Sequence, residues 1–135
     1  MSEGYSAPAT VRVRVTAEHE QLMMLRALTD TALLTTELTL DGILDVQVAI
    51  DEVTTDLIEM AADGSMIECD LESGDGRIAV RISGIAVTRA AIDELGLGWH
   101  IIRTVTESPN ADIGSYDHAA GGYPVTVEFG RTGPG

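Results

Sequence analysis

Residues 43–83 decide the fold, and they read ILDVQVAIDEVTTDLIEMAADGSMIECDLESGDGRIAVRIS. Apolar residues recur every three or four positions between Ile43 and Ala62, which predicts an amphipathic helix with one buried face. The segments 65–72 and 77–83 alternate apolar and polar residues, so they predict two strands joined by the turn-rich loop Ser73–Gly76. The apolar stripe of the helix is Val46, Ile50, Val53, Leu57 and Met60 or Ala61, and an acidic stripe beside it is Asp45, Glu52, Asp56, Glu59 and Asp63.

Further elements are predicted on both sides of this stretch. Towards the N-terminus, residues 11–17 alternate as a strand, and residues 18–34 have helical spacing. Towards the C-terminus, we expect a helix over 99–108 that stops at Ser108-Pro109-Asn110, a strand over 111–118 and a last strand over 123–129. The order βααββαββ predicts an α+β two-layer sandwich: one mixed, mainly antiparallel sheet of about five strands with helices on one face. Residues 1–8 and 132–135 are expected to be flexible, which leaves 9–131 as a single domain.

Charge dominates the composition of the 135-residue chain. Eight basic residues, all of them arginine, stand against 22 acidic ones, which gives a formal net charge of -14. Such a chain is repelled by a phosphate backbone, so we expect no nucleic-acid partner. The sequence has no apolar run long enough to span a bilayer and no signal-like N-terminus, so we expect a cytoplasmic protein without a membrane partner. The lone Cys69 is predicted to be a buried strand residue.

Three groups of residues could carry chemistry. Glu52 and Asp56 lie one turn apart on the long helix, where they could hold Mg²⁺ or a cationic partner, or form a solvated acidic face. Gly96 and Gly98 precede a helix, where backbone N–H groups could cradle a phosphate, although such glycines also serve turns alone. Gly121-Gly122 before the last strand is either a site or a hairpin turn.

The order of these groups resembles the GHKL-type ATP-binding domain, and within it the RsbW-like anti-sigma factors. The matching segments are IDEVTTDLIEMA, VRISGIAV, DELGLGWHIIR and AGGYPVTVEF, and the resemblance covers nearly all of Val11 to Arg131. The spacing from Gly84 to Trp99 is most similar to the divergent actinobacterial anti-sigma factors of the UsfX type. The resemblance implies a Bergerat-type sandwich with a nucleotide site on one face. Its residues would be Glu52 as the base, Asp56 as the Mg²⁺ ligand, and Gly84, Gly96, Gly98, Gly121 and Gly122 around the nucleotide.

The chain departs from the family pattern at the positions that hold the nucleotide. The Mg²⁺-binding asparagine is replaced by Asp56, and Ile82 and Ser83 stand where the adenine-reading aspartate belongs. The second glycine of that motif is Ala86, the threonine of the last motif is Tyr123, and the lid is short. We therefore expect a degenerate serine kinase without a cofactor, with weak ATP or ADP binding with Mg²⁺ as the alternative.

The family's features for binding partner proteins are kept better in this sequence than its nucleotide site. It implies a homodimer that sequesters an alternative sigma factor until a STAS-type anti-anti-sigma antagonist displaces it. A partner-contact arginine of the family falls on Arg26, and Met23 and Met24 precede it; the methionines could instead pack in the core, and Arg26 could instead pair with Asp30. Two other functions remain open: an active Mg-ATP-dependent serine kinase that phosphorylates its antagonist, and a GHKL-like scaffold that binds another partner.

Overall fold

The computed structural model describes residues 9–133, which form five strands and three helices in the predicted order. The first half contains β1 (Ala9–Thr16), α1 (His19–Leu34), α2 (Leu40–Glu59) and β2 (Met66–Gly74). The second half contains β3 (Arg77–Ala86), α3 (Leu97–Val105), β4 (Glu107–Ile113) and β5 (Tyr123–Thr132). The α+β two-layer sandwich is thus confirmed, with the helices packed on a single five-stranded sheet.

The sheet has the order β1-β2-β3-β5-β4, and every neighbouring pair in it is antiparallel. The prediction of a mixed sheet was wrong on this point. The consecutive strands β2–β3 and β4–β5 run in opposite directions, and so do β1–β2 and β3–β5, which are separated by longer segments of chain. One transverse row of side chains faces the helices and another faces away from them. The first row is Val13, Cys69, Ile82, Val127 and Ala111; the second is Arg12, Asp70, Arg81, Glu128 and Asn110.

The core lies between the sheet and the helices. Val46, Ile50, Val53 and Leu57 of α2 are buried as the stripe predicted, and Cys69 is fully buried in β2. From α1, Leu25 and Leu33 enter the same core, with Leu22 and Ala32 partly buried beside them. The apolar stripe of α2 is continued by further buried residues: Ile43, Ala49 and Ile58.

The long helix begins earlier and ends earlier than its apolar pattern indicated. Thr39 is the N-cap, and its Oγ1 accepts a hydrogen bond from the N–H of Gly42 at 3.2 Å, so α2 starts at Leu40 rather than at Ile43. It ends at Glu59, so Met60 and Ala61 lie beyond the helix; Met60 is exposed and is not part of the buried stripe. The chain then turns at Gly64, whose φ of 73° belongs to the left-handed region.

The largest error of the sequence prediction concerns α3 and β4. The helix ends at Val105 instead of residue 108, and the following strand covers Glu107–Ile113 instead of 111–118. Pro109 lies inside this strand, which is possible because β4 is at the edge of the sheet and its register shifts between Glu107 and Asn110. The C-terminal boundary also moves, since Thr132 belongs to β5 and Gly133 donates a hydrogen bond to the carbonyl of Gly76 at 2.6 Å. The prediction of flexibility for 1–8 and for 134–135 lies outside the described residues.

Candidate functional site

The N-terminus of α3 lies against the acidic side of α2. Trp99 and Ile102 are buried and anchor α3 to the core. A Cβ added at Gly98 would lie 2.9 Å from Oε2 of Glu52 and 4.0 Å from Oδ2 of Asp56. The fold therefore brings together the two groups that the sequence singled out, and a residue without a side chain is what allows this close approach.

The carboxylates at this junction repel one another. Asp56 is half-buried, and its pKa is raised, first by desolvation and then by the negative charges of Glu52, Glu59 and Asp93. Asp93 was not identified from the sequence. Its Oδ1 accepts the N–H of Leu95 at 3.0 Å, and its Oδ2 would lie 2.8 Å from a Cβ on Gly96. The site thus contains a cluster of carboxylates, here called the acidic cluster: Glu52, Asp56, Glu59 and Asp93.

The acidic cluster adjoins the positive end of the α3 dipole. Gly96 is the N-cap of α3, no side chain caps the helix there, and its first turn contains no acidic residue of its own. Glu52 of α2 therefore supplies the negative charge that a helix N-terminus attracts. A phosphate group at the same place would meet Glu52 and Asp56 directly, so these residues suit a cation better than a triphosphate. Within residues 9–133, no group of three or more His, Cys, Asp or Glu side chains has the arrangement of a metal site.

On the side that faces α2, Gly84 is next to apolar side chains rather than to a carboxylate that could read a nucleotide base. Ile82 is fully buried in the core, and Ser83 lies on the opposite face of the sheet, next to Thr126. A Cβ at Gly84 would lie 3.6 Å from Cγ1 of Ile67 and 3.7 Å from Cδ1 of Leu57, so apolar side chains occupy the space between this glycine and α2. The residues present therefore do not fit the adenine-reading role that the resemblance implies for this segment.

Gly121 and Gly122 form a turn rather than an open loop. Their N–H groups donate to the carbonyl of Asp117 at 2.8 and 3.2 Å, and Gly121 has a φ of 79°. Gly122 packs against the backbone of Ala86, so closely that a Cβ there would collide with its carbonyl oxygen. Because both N–H groups are hydrogen-bonded inside the turn, the structure assigns these glycines to the hairpin-turn alternative.

Arg89 attaches the short segment between β3 and α3 to the start of β5 and to the residue that follows β4. This side chain donates to the carbonyl of Gly114 at 3.1 Å, and its guanidinium lies 5.5 Å from the ring centroid of Tyr123. Tyr123 in turn packs edge-on against Tyr116, with centroids 5.2 Å apart. Arg89 was not identified from the sequence, because an isolated arginine in a loop has no local pattern that distinguishes it. The tyrosine at the position of the family's threonine thus has a packing role here.

On α1, the residues expected to contact a partner are accessible. Met23 and Met24 are 77% and 55% exposed, which excludes the alternative that they pack in the core. Arg26 is exposed as well, and its Nε lies 3.0 Å from Oδ1 of Asp51 on α2. Arg26 thus pairs with Asp51 and not with Asp30, the ion-pair partner considered from the sequence. The reason is that the packing of α1 against α2 brings an acidic residue of the second helix within reach.

No model of a known protein family matches the chain, and no curated protein matches it either. None of the helices within residues 9–133 is both long enough and apolar enough to cross a membrane.

Proposed function

We propose that the chain is an anti-sigma factor. It sequesters an alternative sigma factor in the cytoplasm, acts as a homodimer, and releases its partner when a STAS-type anti-anti-sigma antagonist binds. The observation that carries this proposal is the accessible surface of α1, where Met23, Met24 and Arg26 all face solvent. Flexible methionines beside an arginine are typical of adaptable protein contacts.

The charge of the chain supports the same proposal. A net charge of -14 suits a partner with a basic surface, and the DNA-binding surface of a sigma factor is basic. Binding there would compete directly with promoter DNA. Electrostatic attraction of this kind raises the rate of association more than it raises the affinity.

A degenerate nucleotide site completes the proposal. The acidic cluster places Glu52, Asp56 and Asp93 together, and the pKa of Asp56 is raised first by burial and then by the negative charges of its neighbours. A triphosphate would add further negative charge at this point, and on the side of Gly84 that faces α2 the neighbouring side chains are the apolar Ile67 and Leu57. Phosphoryl transfer depends on positioning and on charge neutralisation, so the kinase alternative has less support than pure protein binding.

The proposal is tested by reconstitution. The purified full-length chain is mixed with each alternative sigma factor of the source organism and examined by size-exclusion chromatography and in vitro transcription. We expect one sigma factor to form a stoichiometric complex and to lose transcription from its own promoter, and the antagonist to restore it. A chain that binds none of them would contradict the anti-sigma function.

Nucleotide binding is tested separately by calorimetric titration with ATP and Mg²⁺, then with ADP. We expect no saturable heat up to about millimolar nucleotide, which corresponds to less than about 4 kcal/mol of binding free energy. Micromolar binding, together with transfer of labelled phosphate to the antagonist, would favour the kinase alternative instead.

A further inference from the structure

The outward side of α2 carries a second apolar stripe, opposite the one buried in the core. Leu40, Leu44 and Val48 are 68%, 49% and 43% exposed. They follow one another at intervals of four residues, so they form a continuous ridge along two turns of the helix. We call these three residues the outer stripe. At its N-terminal end, the exposed Leu34 of α1 lies just across the short connection between the two helices.

All the charges that α2 itself contributes around the outer stripe are negative. Six residues of α2 are acidic and none is basic: Asp41, Asp45, Asp51, Glu52, Asp56 and Glu59. Within residues 9–133, salt bridges engage only two of the six, Asp45 with Arg131 and Asp51 with Arg26. By contrast, five of the eight arginines lie on the strands. The outer stripe is therefore an apolar ridge within the most acidic part of the molecule.

This combination selects among possible occupants. A second copy of the chain, docked through the same face, would bring two helices together that each carry six acidic residues and no basic one, with only two of the six in ion pairs. An anionic lipid surface and nucleic acid would be repelled for the same reason. The remaining occupant is a protein segment that offers apolar side chains with basic residues beside them, and an amphipathic helix presents such a pattern at matching spacing.

We propose that the outer stripe is the docking surface for a basic amphipathic helix of a partner protein. The partner's apolar side chains pack on Leu40, Leu44 and Val48, and its lysine or arginine residues face the carboxylates that α2 carries beside the stripe. The inference rests on the proposed function, since it names the kind of segment by which the bound protein is held. It adds a surface on α2 to the residues of α1 already described.

The test uses a fluorescein-labelled synthetic helix of about 18 residues, long enough to be helical when bound, with leucines on one face and lysines and arginines on its borders. Fluorescence anisotropy measures its binding to the full-length protein. Two control peptides are used: one has the same composition with the apolar stripe scrambled, and the other has glutamate in place of every basic residue. We expect only the first peptide to bind, with an affinity that falls as salt is added.

Leu44→Ser tests the surface itself, and Leu95→Ser is the matched control, because Leu95 is 99% exposed and lies outside α2. Losing one buried leucine contact is expected to weaken peptide binding about tenfold or more in Leu44→Ser and to leave Leu95→Ser unchanged. Both substitutions are at exposed positions, and circular dichroism verifies that the variants are folded.

Three results would overturn the inference: equal binding of the scrambled peptide, unchanged binding by Leu44→Ser, or a dimer that Leu44→Ser dissociates in sedimentation velocity. Its failure is distinguishable from failure of the proposed function. If Leu44→Ser still sequesters the sigma factor at full affinity, the outer stripe is not the docking surface but the anti-sigma function stands. If the peptide binds as expected and no sigma factor does, the anti-sigma function fails and the surface stands.

Discussion

Nε of Arg26 lies 3.0 Å from Oδ1 of Asp51, so an exposed ion pair joins α1 to α2. Both side chains remain accessible, and a pair of this kind contributes less than about 1 kcal/mol to stability. The arginine is therefore held in place by its neighbour and remains free to exchange Asp51 for a carboxylate of a partner. Because the ion pair contributes so little to stability, a loss of partner binding on replacing Arg26 can be distinguished from a loss of folding.

Replacing Arg26 with Ala is expected to weaken sigma-factor binding by about tenfold, because a charge-assisted hydrogen bond to the partner is lost. Asp51→Ala is the control, since it breaks the same ion pair but keeps the arginine. Affinities are measured by calorimetry and stabilities by urea unfolding, where both variants should lose less than about 1 kcal/mol. Equal affinities of the two variants would mean that Arg26 acts only by joining the helices.

Replacing Asp56 with Asn is expected to stabilise the protein at neutral pH. The change removes like-charge contacts with Glu52 and Glu59 on the same helix, each worth a few tenths of a kcal/mol, so the gain is about 0.5–1 kcal/mol. Asp45→Asn on the same helix should have the opposite effect, because Asp45 is paired with Arg131 at 3.1 Å. Urea unfolding of the two variants beside the parent chain measures both signs.

Asp56 also makes the free energy of unfolding depend on pH in a defined direction. Because the pKa of Asp56 is higher in the folded state than in the unfolded state, the folded protein binds more protons between those two values. This residue's contribution therefore makes the folded state more stable as the pH falls from neutral towards the ordinary aspartate pKa. The parent chain should show a gain that Asp56→Asn lacks, measured as the difference between their unfolding free energies across that range. Parallel profiles would contradict the raised pKa of Asp56, and with it the partial burial of this carboxyl and the proximity of the other carboxylates.

Gly122→Ala is expected to destabilise the protein by about 2–3 kcal/mol, because the new Cβ would collide with the backbone of Ala86 and lie 2.8 Å from Cγ2 of Ile85. The neighbouring Gly121→Ala should cost only about 1 kcal/mol. Gly121 has open space around its Cβ position but a φ of 79°. Thermal and urea unfolding of the pair compare the two effects. A larger loss for Gly121→Ala would contradict the close packing of this turn on β3.

The thiol of Cys69 is expected to be unreactive in the folded protein. Burial raises its pKa to about 12, so the thiolate is scarce at pH 8. Labelling with a disulfide reagent should be slow in buffer and complete in denaturant, with a rate in buffer that follows unfolding. Since the folded pKa is raised, this thiol's contribution to stability is present below the unfolded value and lost as the pH rises towards 12. Rapid labelling of the folded chain would contradict the buried position of Cys69 in β2.

Local pattern was sufficient for the order of elements, and it failed where tertiary context overrode it. The stripe of α2 and the alternation of β2 and β3 were confirmed because their periods reflect one buried face each. The strand β4 was misplaced because Pro109 and Ser108, with a φ of 50°, are typical of a break rather than a strand. Only the position of β4 at the sheet edge, beside a register shift, makes them compatible with pairing.

The candidate site was predicted only in part for the same reason. Glu52, Asp56 and Gly98 could be selected from spacing, but Asp93 and Arg89 could not, since their roles depend on neighbours that are distant in sequence. Tertiary packing also decided which residue forms the ion pair with Arg26 and which carbonyl accepts the hydrogen bonds of Gly121 and Gly122. Spacing along one helix contains no information about which side chain of another helix comes within reach.

The sequence by itself thus determined the element order, the buried stripe of α2 and the strongly acidic character of the chain, because composition and hydrophobic period are local properties. Only the tertiary structure decided that the sheet is wholly antiparallel, that Glu52 meets the N-terminus of α3 at Gly98, and that Leu40, Leu44 and Val48 remain outside the core. The first two depend on contacts between segments that are distant in sequence. The third follows because one layer of strands covers only one side of α2.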